Sequence, residues 1–222
     1  MKELEINELF DLTRTKAAEY LKGFKYPWEA LGGIAEEIIR IGKGLDKAEY
    51  DNPFENVWIA KTAKAAHTAS ITGPCIIGND TEIRHCAFIR GSVLIGDGCV
   101  VGNSVEIKNA IIFDKVQVPH YNYVGDSILG YHSHMGAGSI TSNVKAEKNE
   151  VEISANGEKI KTGRKKVGAF LGDFAEIGCN SVLNPGTVIG RNSNVYPLSM
   201  VRGYVKPKSI YKKKGEIVKK YD

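Results

Sequence analysis

The chain has 222 residues, of which 42% are hydrophobic and 25% are charged, so it can bury a core and is not disordered. Its 30 Lys and Arg residues against 26 Asp and Glu residues give a net charge of +4, too mild to argue for a nucleic-acid partner. No apolar run approaches the roughly 20 residues that span a bilayer, and residues 1–10 have no apolar stretch of signal-peptide length. We therefore expect a cytoplasmic protein with no membrane partner.

Residues 1–55 are predicted to form a helical extension. Helix-favouring stretches lie at residues 15–23 and 27–42, and in the second Leu31, Ile34 and Ile38 recur at roughly helical spacing. We interpret this extension as a helical cap or a docking arm.

Residues 56–205 repeat every six positions. The aliphatic anchors of a first array are Ile59, Ala65, Ile71, Ile77, Ile83, Ile89, Ile95, Val101 and Ile107. After one-residue slips the period continues through Ile112, Val118, Val124, Leu129 and Met135, and a second array follows at Leu171, Ile177, Leu183, Ile189, Val195 and Val201. Neither a helix of period 3.6 nor simple strand alternation holds such a register.

The second inward position of each repeat is small, as at Cys75, Ala87 and Cys99, four positions after an anchor. One large and one small inward residue per repeat describe the wall of a triangular solenoid, so we predict an all-β fold, a left-handed parallel β-helix. Three repeats make one coil, and positions one coil apart should stack at about 4.8 Å. The four cysteines form no C-x-x-C pair and no zinc-like spacing, so we expect free thiols.

Two segments depart from the repeat. Residues 144–166 form a charged insertion in which Asn156-Gly157 lies between Ile153 and Ile160, a signal for a two-residue hairpin turn. We expect this insertion to project from the solenoid as a loop. The lysine-rich tail, residues 206–222, is predicted to be a short helix with a solvated, charged face.

Function in such a solenoid must come from outward positions, loops or subunit seams, because the inward positions are structural. Arg90 and Lys108 each follow an anchor and are separated by three full repeats, so they should stack on adjacent coils. A phosphate group can accept hydrogen bonds from both cations. The alternative is two solvated surface cations.

His120 is a candidate catalytic residue. It lies two positions past an anchor, and Tyr123 precedes the next anchor, so both should point away from the core. Counting three anchors onward places Ala137, flanked by Gly136 and Gly138, against His120. A base beside accessible backbone suits a thioester cofactor with an amide-containing arm, whereas a structural histidine is the alternative.

His132 and His134 could join His120 as zinc ligands, since the left-handed β-helix supports zinc-dependent carbonic anhydrases with three histidines shared across a subunit seam. Those enzymes carry a His-x4-His pair, which this sequence lacks. We therefore predict no metal and keep a zinc lyase as a third hypothesis.

Two stretches carry a family resemblance: HYNYVGD at residues 120–126 and MGAGSIT at residues 135–141. Together with VEIK at residues 105–108 and Arg90, they resemble the acetyltransferase domain of the bifunctional glucosamine-1-phosphate acetyltransferase/N-acetylglucosamine-1-phosphate uridylyltransferases. The resemblance covers roughly residues 70–205. The insertion, which ends in TGRKK at residues 162–166, is more similar to that of the archaeal sugar-phosphate nucleotidylyltransferase/acetyltransferase proteins.

The resemblance implies roles for the matched residues. His120 matches the general base, which removes a proton from the sugar amine as the amine attacks the acetyl-CoA thioester. The substrate-binding residues that it implies are Arg90, Lys108, Tyr123 and Asn143, with His134 at a position where the bacterial enzymes usually have Asn.

The resemblance also implies cofactor contacts and an assembly. Ala137 matches a backbone contact to acetyl-CoA, and Arg164 and Lys165 are candidates for contacts with the cofactor phosphates. The family forms trimers with active sites between subunits, so a homotrimer is expected. Residues 1–55 leave no room for the uridylyltransferase domain, so we expect no nucleotidyl transfer.

Three hypotheses follow. The first is an acetyl-CoA-dependent N-acetyltransferase acting on an amino-sugar 1-phosphate such as glucosamine-1-phosphate. The second is a non-catalytic trimeric scaffold for a separate nucleotidylyltransferase, with the N-terminal helices as the docking arm and no acetyl-CoA binding. The third is the zinc lyase.

Overall fold

The N-terminal extension is a set of short helices. In this computed structural model, which describes residues 1–213 and 215–220, the α-helices are Ile6–Leu9, Ala18–Leu21, Pro27–Ala30 and Ile34–Lys43, with 3-10 helices at Lys2–Leu4 and Leu12–Arg14. Pro27 pre-sets the first turn of its helix, and the Glu29 carboxylate accepts the backbone N–H of Tyr26 at 2.8 Å. No helix in the described part of the chain is both long and apolar enough to cross a bilayer.

The rest of the chain winds into a parallel β-solenoid with three walls. Wall one contains Val57–Ala60, Cys75–Ile77, Val93–Ile95, Ala169–Leu171, Thr187–Ile189, Tyr204–Val205 and the ends of Glu106–Ile112 and Tyr123–Leu129. Wall two contains Lys64–Ala65, Glu82–Ile83, Val100–Asn103, Gln117–His120, His134–Met135, Glu176–Ile177, Asn194–Val195 and Ser209–Lys213. Wall three contains Ser70–Ile71, Phe88–Ile89, Ile140–Thr141, Val182–Leu183, Met200–Val201 and the beginnings of the two long strands.

The anchors stack as the six-residue period predicts. Ile77 pairs with Ile95, which lies three repeats further along the chain. The slips shorten each of the next two coils by a single residue, so Ile95 pairs with Ile112, which pairs with Leu129. The predicted β-solenoid with its helical N-terminal extension is confirmed. The predicted boundary at residue 55 falls between strand Tyr50–Phe54 and its antiparallel partner Val57–Ala60.

The helices cover wall one. Outward side chains along the middle of this wall are fully buried, among them Ile76, Leu94 and Ile128. Trp28 of the extension packs against Phe170 of the wall, with ring centroids 6.0 Å apart. Burying each such side chain stabilises the fold by about 1.5–3 kcal/mol, so the extension is an integral part of the core.

The insertion does not project as expected. Its strands Glu152–Ala155 and Glu158–Lys161 form an antiparallel hairpin that turns at Asn156-Gly157. Val151 and Ile153 are fully buried, because they pack over Gly186 at the edge of wall one. The expectation of a projecting loop is therefore wrong, because one face of the hairpin is apolar and packs against wall one.

The predicted short C-terminal helix is also wrong. Ser209–Lys213 pairs in parallel with Asn194–Val195 at the end of wall two, and Glu216–Lys219 turns back antiparallel to it. The last coil offers unpaired backbone groups, which a strand satisfies and a helix would not. Residues 214, 221 and 222 lie outside the described residues.

The cysteines give a simple test of the packing. Cys75 and Cys99 are buried in the solenoid, and burial raises the pKa of each thiol to about 12. Cys86 and Cys179 are exposed. We expect two thiols to react with a chromogenic disulfide reagent in the native protein and four after denaturation. A native count of none or four would contradict the placement of the walls.

Candidate functional site

A buried carboxylate, Asp126, lies at the edge where wall three meets wall one. Its Oδ2 accepts Lys108 Nζ at 3.0 Å and also accepts Asn143 Nδ2. Its Oδ1 accepts Asn109 Nδ2 at 2.8 Å. The three donors compensate a charge that is only 4% exposed, and they bring two predicted substrate residues, Lys108 and Asn143, together.

Sequence reasoning missed Asp126 and Asn109 as members of this arrangement. Asp126 closes the HYNYVGD stretch, and its backbone φ of 50° is left-handed, a conformation that Asp and Asn adopt more easily than most residues. Because the coil is shortened by a slip here, Asp126 lies beside Asn109 of the preceding coil. The sequence signal is the polar residue at each of these two left-handed corners, Asn109 and Asp126.

Arg90 lies one coil before Lys108 on the same edge. Its guanidinium donates to Glu106 at 2.6 Å, and this hydrogen bond raises the pKa of Arg90. Glu106 in turn pairs in register with Tyr123. The two predicted cations therefore lie on adjacent coils. Arg90 faces the half-exposed carboxylate of Glu106, and Lys108 faces the buried carboxylate of Asp126.

Tyr123 completes the arrangement from wall three. Its hydroxyl accepts Asn143 Nδ2 at 3.2 Å. Burial, followed by the charges of Asp126 and Glu106, raises the pKa of Tyr123, so the phenol keeps its proton and can donate to a ligand. Six residues of this edge form the Asp126 cluster: Arg90, Lys108, Asn109, Tyr123, Asp126 and Asn143.

His120 lies at the opposite edge of wall three, where wall two ends. Its backbone N–H donates to Asn122 Oδ1 at 3.1 Å, and its carbonyl accepts the N–H of Gly138 at 3.0 Å. The pairing of Gln117 with His134 sets Ala137 beside it. The imidazole is exposed, and the described residues offer it no hydrogen-bond partner. A free imidazole can accept a proton from a bound amine.

Two half-sites thus lie on one chain. His120 and Lys108 occupy opposite edges of wall three, separated by roughly 10 Å or more at about 3.3 Å per strand residue. A base must come within hydrogen-bond reach of the proton that it removes. A ligand that contacts both His120 and the Asp126 cluster must therefore extend across wall three.

Comparison with known proteins finds relatives for this chain. Residues 71–167 match the model of the GMPPB C-terminal domain. A bifunctional sugar-1-phosphate nucleotidylyltransferase/acetyltransferase of Sulfurisphaera tokodaii is 30% identical, covering 90% of this chain and 52% of that protein. A bifunctional protein GlmU of Methanococcus aeolicus is 35% identical, covering 80% of this chain and 48% of that protein.

These matches confirm the resemblance. The chain spans about half the length of the curated relatives that it matches. Solved structures with some similarity include a mutant of AntD, an N-acyltransferase from Bacillus cereus in complex with dTDP and coenzyme A. It is 18% identical, with a TM-score of 0.39, covering 78% of this chain and 91% of that chain.

His134 is not in the Asp126 cluster of the same chain. It lies on wall two, where its Nδ1 is 2.9 Å from Glu176 Oε2. The pair borders an open groove of about 540 Å³ that Cys179 and Tyr196 also line. The carboxylate can orient the ring as a base or as a donor.

The three histidines do not converge. His132 stacks on Phe174 at the far edge of wall two, with ring centroids 5.6 Å apart, whereas His120 lies at the near edge. Among residues 1–213 and 215–220, no group of three or more His, Cys, Asp or Glu side chains is arranged to hold a metal ion.

The basic end of the insertion borders the Asp126 cluster. The chain returns to the solenoid there, and Val167 N donates to Asn143 O at 3.0 Å. Lys165 is exposed, whereas the Arg164 guanidinium lies against Gly32 of the N-terminal extension. Both are remote from Ala137 within the chain, which is at the other edge of wall three.

Proposed function

We propose that the chain is an acetyl-CoA-dependent N-acetyltransferase acting on an amino-sugar 1-phosphate such as glucosamine-1-phosphate. The observation that carries the proposal is the Asp126 cluster, which holds Lys108 and Asn143 beside Arg90 and Tyr123. An acidic substrate meets two cations, a phenol donor and an amide donor at one edge. The names of the relatives, which include acetyltransferase activity, support the same reaction class.

The phosphate binds by exchanging with one carboxylate. The Arg90–Glu106 pair is half-exposed, and solvent-screened pairs of this kind contribute little to stability, so a phosphate dianion can displace Glu106. Asp126 is buried and has three donors, so it stays in place and keeps Lys108 aimed at the edge.

The acetyl transfer is direct. The sugar amine, once neutral, attacks the thioester carbonyl; the new C–N bond forms, and the C–S bond then breaks. His120 takes the proton that the amine loses, and the departing thiolate of CoA takes a proton from the imidazolium. A neighbouring N–H must stabilise the transient oxyanion. No covalent enzyme intermediate is needed.

A homotrimer would complete the site, with His120 of one subunit facing the Asp126 cluster of the next. Wall three carries exposed apolar side chains, including Phe88 and Met200, which a neighbouring subunit would cover.

The remaining assignments follow from the same arrangement. We place the acetyl-CoA arm along the backbone of Ala137, next to His120, with acetyl-CoA as the co-substrate. Lys165 is the better candidate for the cofactor phosphates, because Arg164 is engaged with the extension. His134 would contact the amino sugar only from a neighbouring subunit.

The direct test is thiol release from acetyl-CoA with a panel of acceptors, corrected for the protein's own exposed thiols. We expect release with amino-sugar 1-phosphates and a kcat/KM about 100-fold lower with unphosphorylated glucosamine, which lacks the charge-assisted contacts. No release with any amino-sugar phosphate would contradict the proposal and favour a non-catalytic scaffold for a separate nucleotidylyltransferase.

A further inference from the structure

One side chain joins the N-terminal extension to the Asp126 cluster. The Asn109 amide donates to Asp126 Oδ1 at 2.8 Å and also to the carbonyl of Leu31 at 3.3 Å. Asn109 is half-buried at a corner with a left-handed φ of 44°. It is the residue next to Lys108, so its amide lies between the extension and the proposed phosphate site.

The Leu31 carbonyl is held in place from several sides. The Tyr20 hydroxyl donates to the carbonyl of the preceding residue, Ala30. The Arg164 guanidinium packs so closely on Gly32 that a Cβ there would collide with it. The helix Ile34–Lys43 begins shortly afterwards and is buried against wall one through Ile34 and Ile38.

The extension is also tied to the solenoid at its other end. Asp173, a buried carboxylate, accepts the N–H of Asp11 at 2.7 Å, and its own N–H donates to Leu9 O at 3.0 Å. Lys16 pairs with Asp97 at 2.6 Å. The extension is thus fixed on both sides of Leu31, and its carbonyl is a rigid reference point.

We propose that Asn109 is a positioning residue through which the N-terminal extension holds the sugar-phosphate site in its binding geometry. The inference rests on the proposed function. Asn109 occupies Oδ1 of Asp126, which leaves Oδ2 to orient Lys108 and Asn143. Without the amide, Asp126 loses one of three donors and turns toward Lys108, drawing the ammonium away from the ligand.

The test is Asn109→Gly, which keeps the left-handed corner and removes both hydrogen bonds. Asn192→Gly is the matched control, because Asn192 has a similar φ of 57° and lies outside the site. We expect Asn109→Gly to raise the KM and the Kd for glucosamine-1-phosphate about tenfold. The kcat and the KM for acetyl-CoA should stay within about twofold of the control.

Several outcomes separate positioning from a structural role. Equal values for the two Gly variants, or an equal rise in both KM values, would overturn the inference. If Asn109→Gly does not fold, Asn109→Ala also removes both hydrogen bonds without adding a charge, and it should weaken sugar-phosphate binding about as much. If the wild type shows no turnover, the proposed function fails, and the Kd for glucosamine-1-phosphate by calorimetry then decides the role of Asn109.

Discussion

His120→Ala is expected to lower the kcat for acetyl transfer by about 10²–10⁴-fold, the usual contribution of a general base. The imidazole is exposed and free of hydrogen bonds in the described part of the chain, so its loss should not disturb the wall. The Asp126 cluster lies at the other edge of wall three. We therefore expect the Kd for glucosamine-1-phosphate, measured by calorimetry, to stay within about twofold.

His132→Ala is the control for this prediction. Its ring stacks on Phe174 at the far edge of wall two, so its removal should leave the kcat unchanged. If His120→Ala keeps more than about a tenth of the wild-type kcat, the base lies elsewhere. His134, with Glu176 at 2.9 Å, would then be the first residue to replace.

Lys108→Met is expected to raise the KM for glucosamine-1-phosphate about 100-fold, because a charge-assisted contact with the phosphate is lost and the charge of Asp126 is left facing it. The same change should lower the free energy of unfolding by about 3 kcal/mol, since one partner of a buried ion pair is removed. Initial rates and denaturant unfolding measure the two effects.

The double variant Lys108→Met with Asp126→Asn separates binding from stability. It removes both charges, so the free energy of unfolding should recover while the KM stays high. Lys115→Met, at an exposed corner remote from the cluster, should change neither quantity. A double variant that restores the KM would show that Lys108 acts only by compensating Asp126.

The walls could be predicted because the inward and outward positions follow from the sequence of each repeat. One large and one small inward residue every six positions permits only a wall, and the pairing of Ile77 with Ile95 follows from the period. The two shortened coils could also be predicted, because each slip shifts the anchors by a single position. The anchor spacing across such a slip predicts that Ala137 stacks beside His120, as the pairing of Gln117 with His134 requires.

Long-range packing could not be predicted in the same way. The lysine-rich tail predicts a helix, because the inward residues Ser209 and Tyr211 can be recognised only from the open edge of the previous coil. Val151 and Ile153 of the insertion are buried against wall one. No local sequence pattern predicts this contact. Asp126 could not be recognised as the centre of the cluster without the strand register, because its partners lie on neighbouring coils.

Some site residues could be predicted from the repeat, whereas others depend on long-range packing. Lys108, Tyr123 and Asn143 were predicted together, and the structure brings them together. His134 and Arg164 were assigned by resemblance alone, and the fold places each against a different neighbour within the chain. Contacts between the subunits of the proposed trimer could not be predicted from the repeat pattern of one chain.

The proposed reaction transfers an acetyl group to the amine of a sugar phosphate. The most direct measurement is the amount of N-acetylated sugar phosphate, by mass spectrometry, against the CoA released from acetyl-CoA and glucosamine-1-phosphate. We predict equal amounts of the two products, both lost in His120→Ala. CoA release that does not depend on the sugar phosphate, or no N-acetylated product at all, would rule out the proposed reaction.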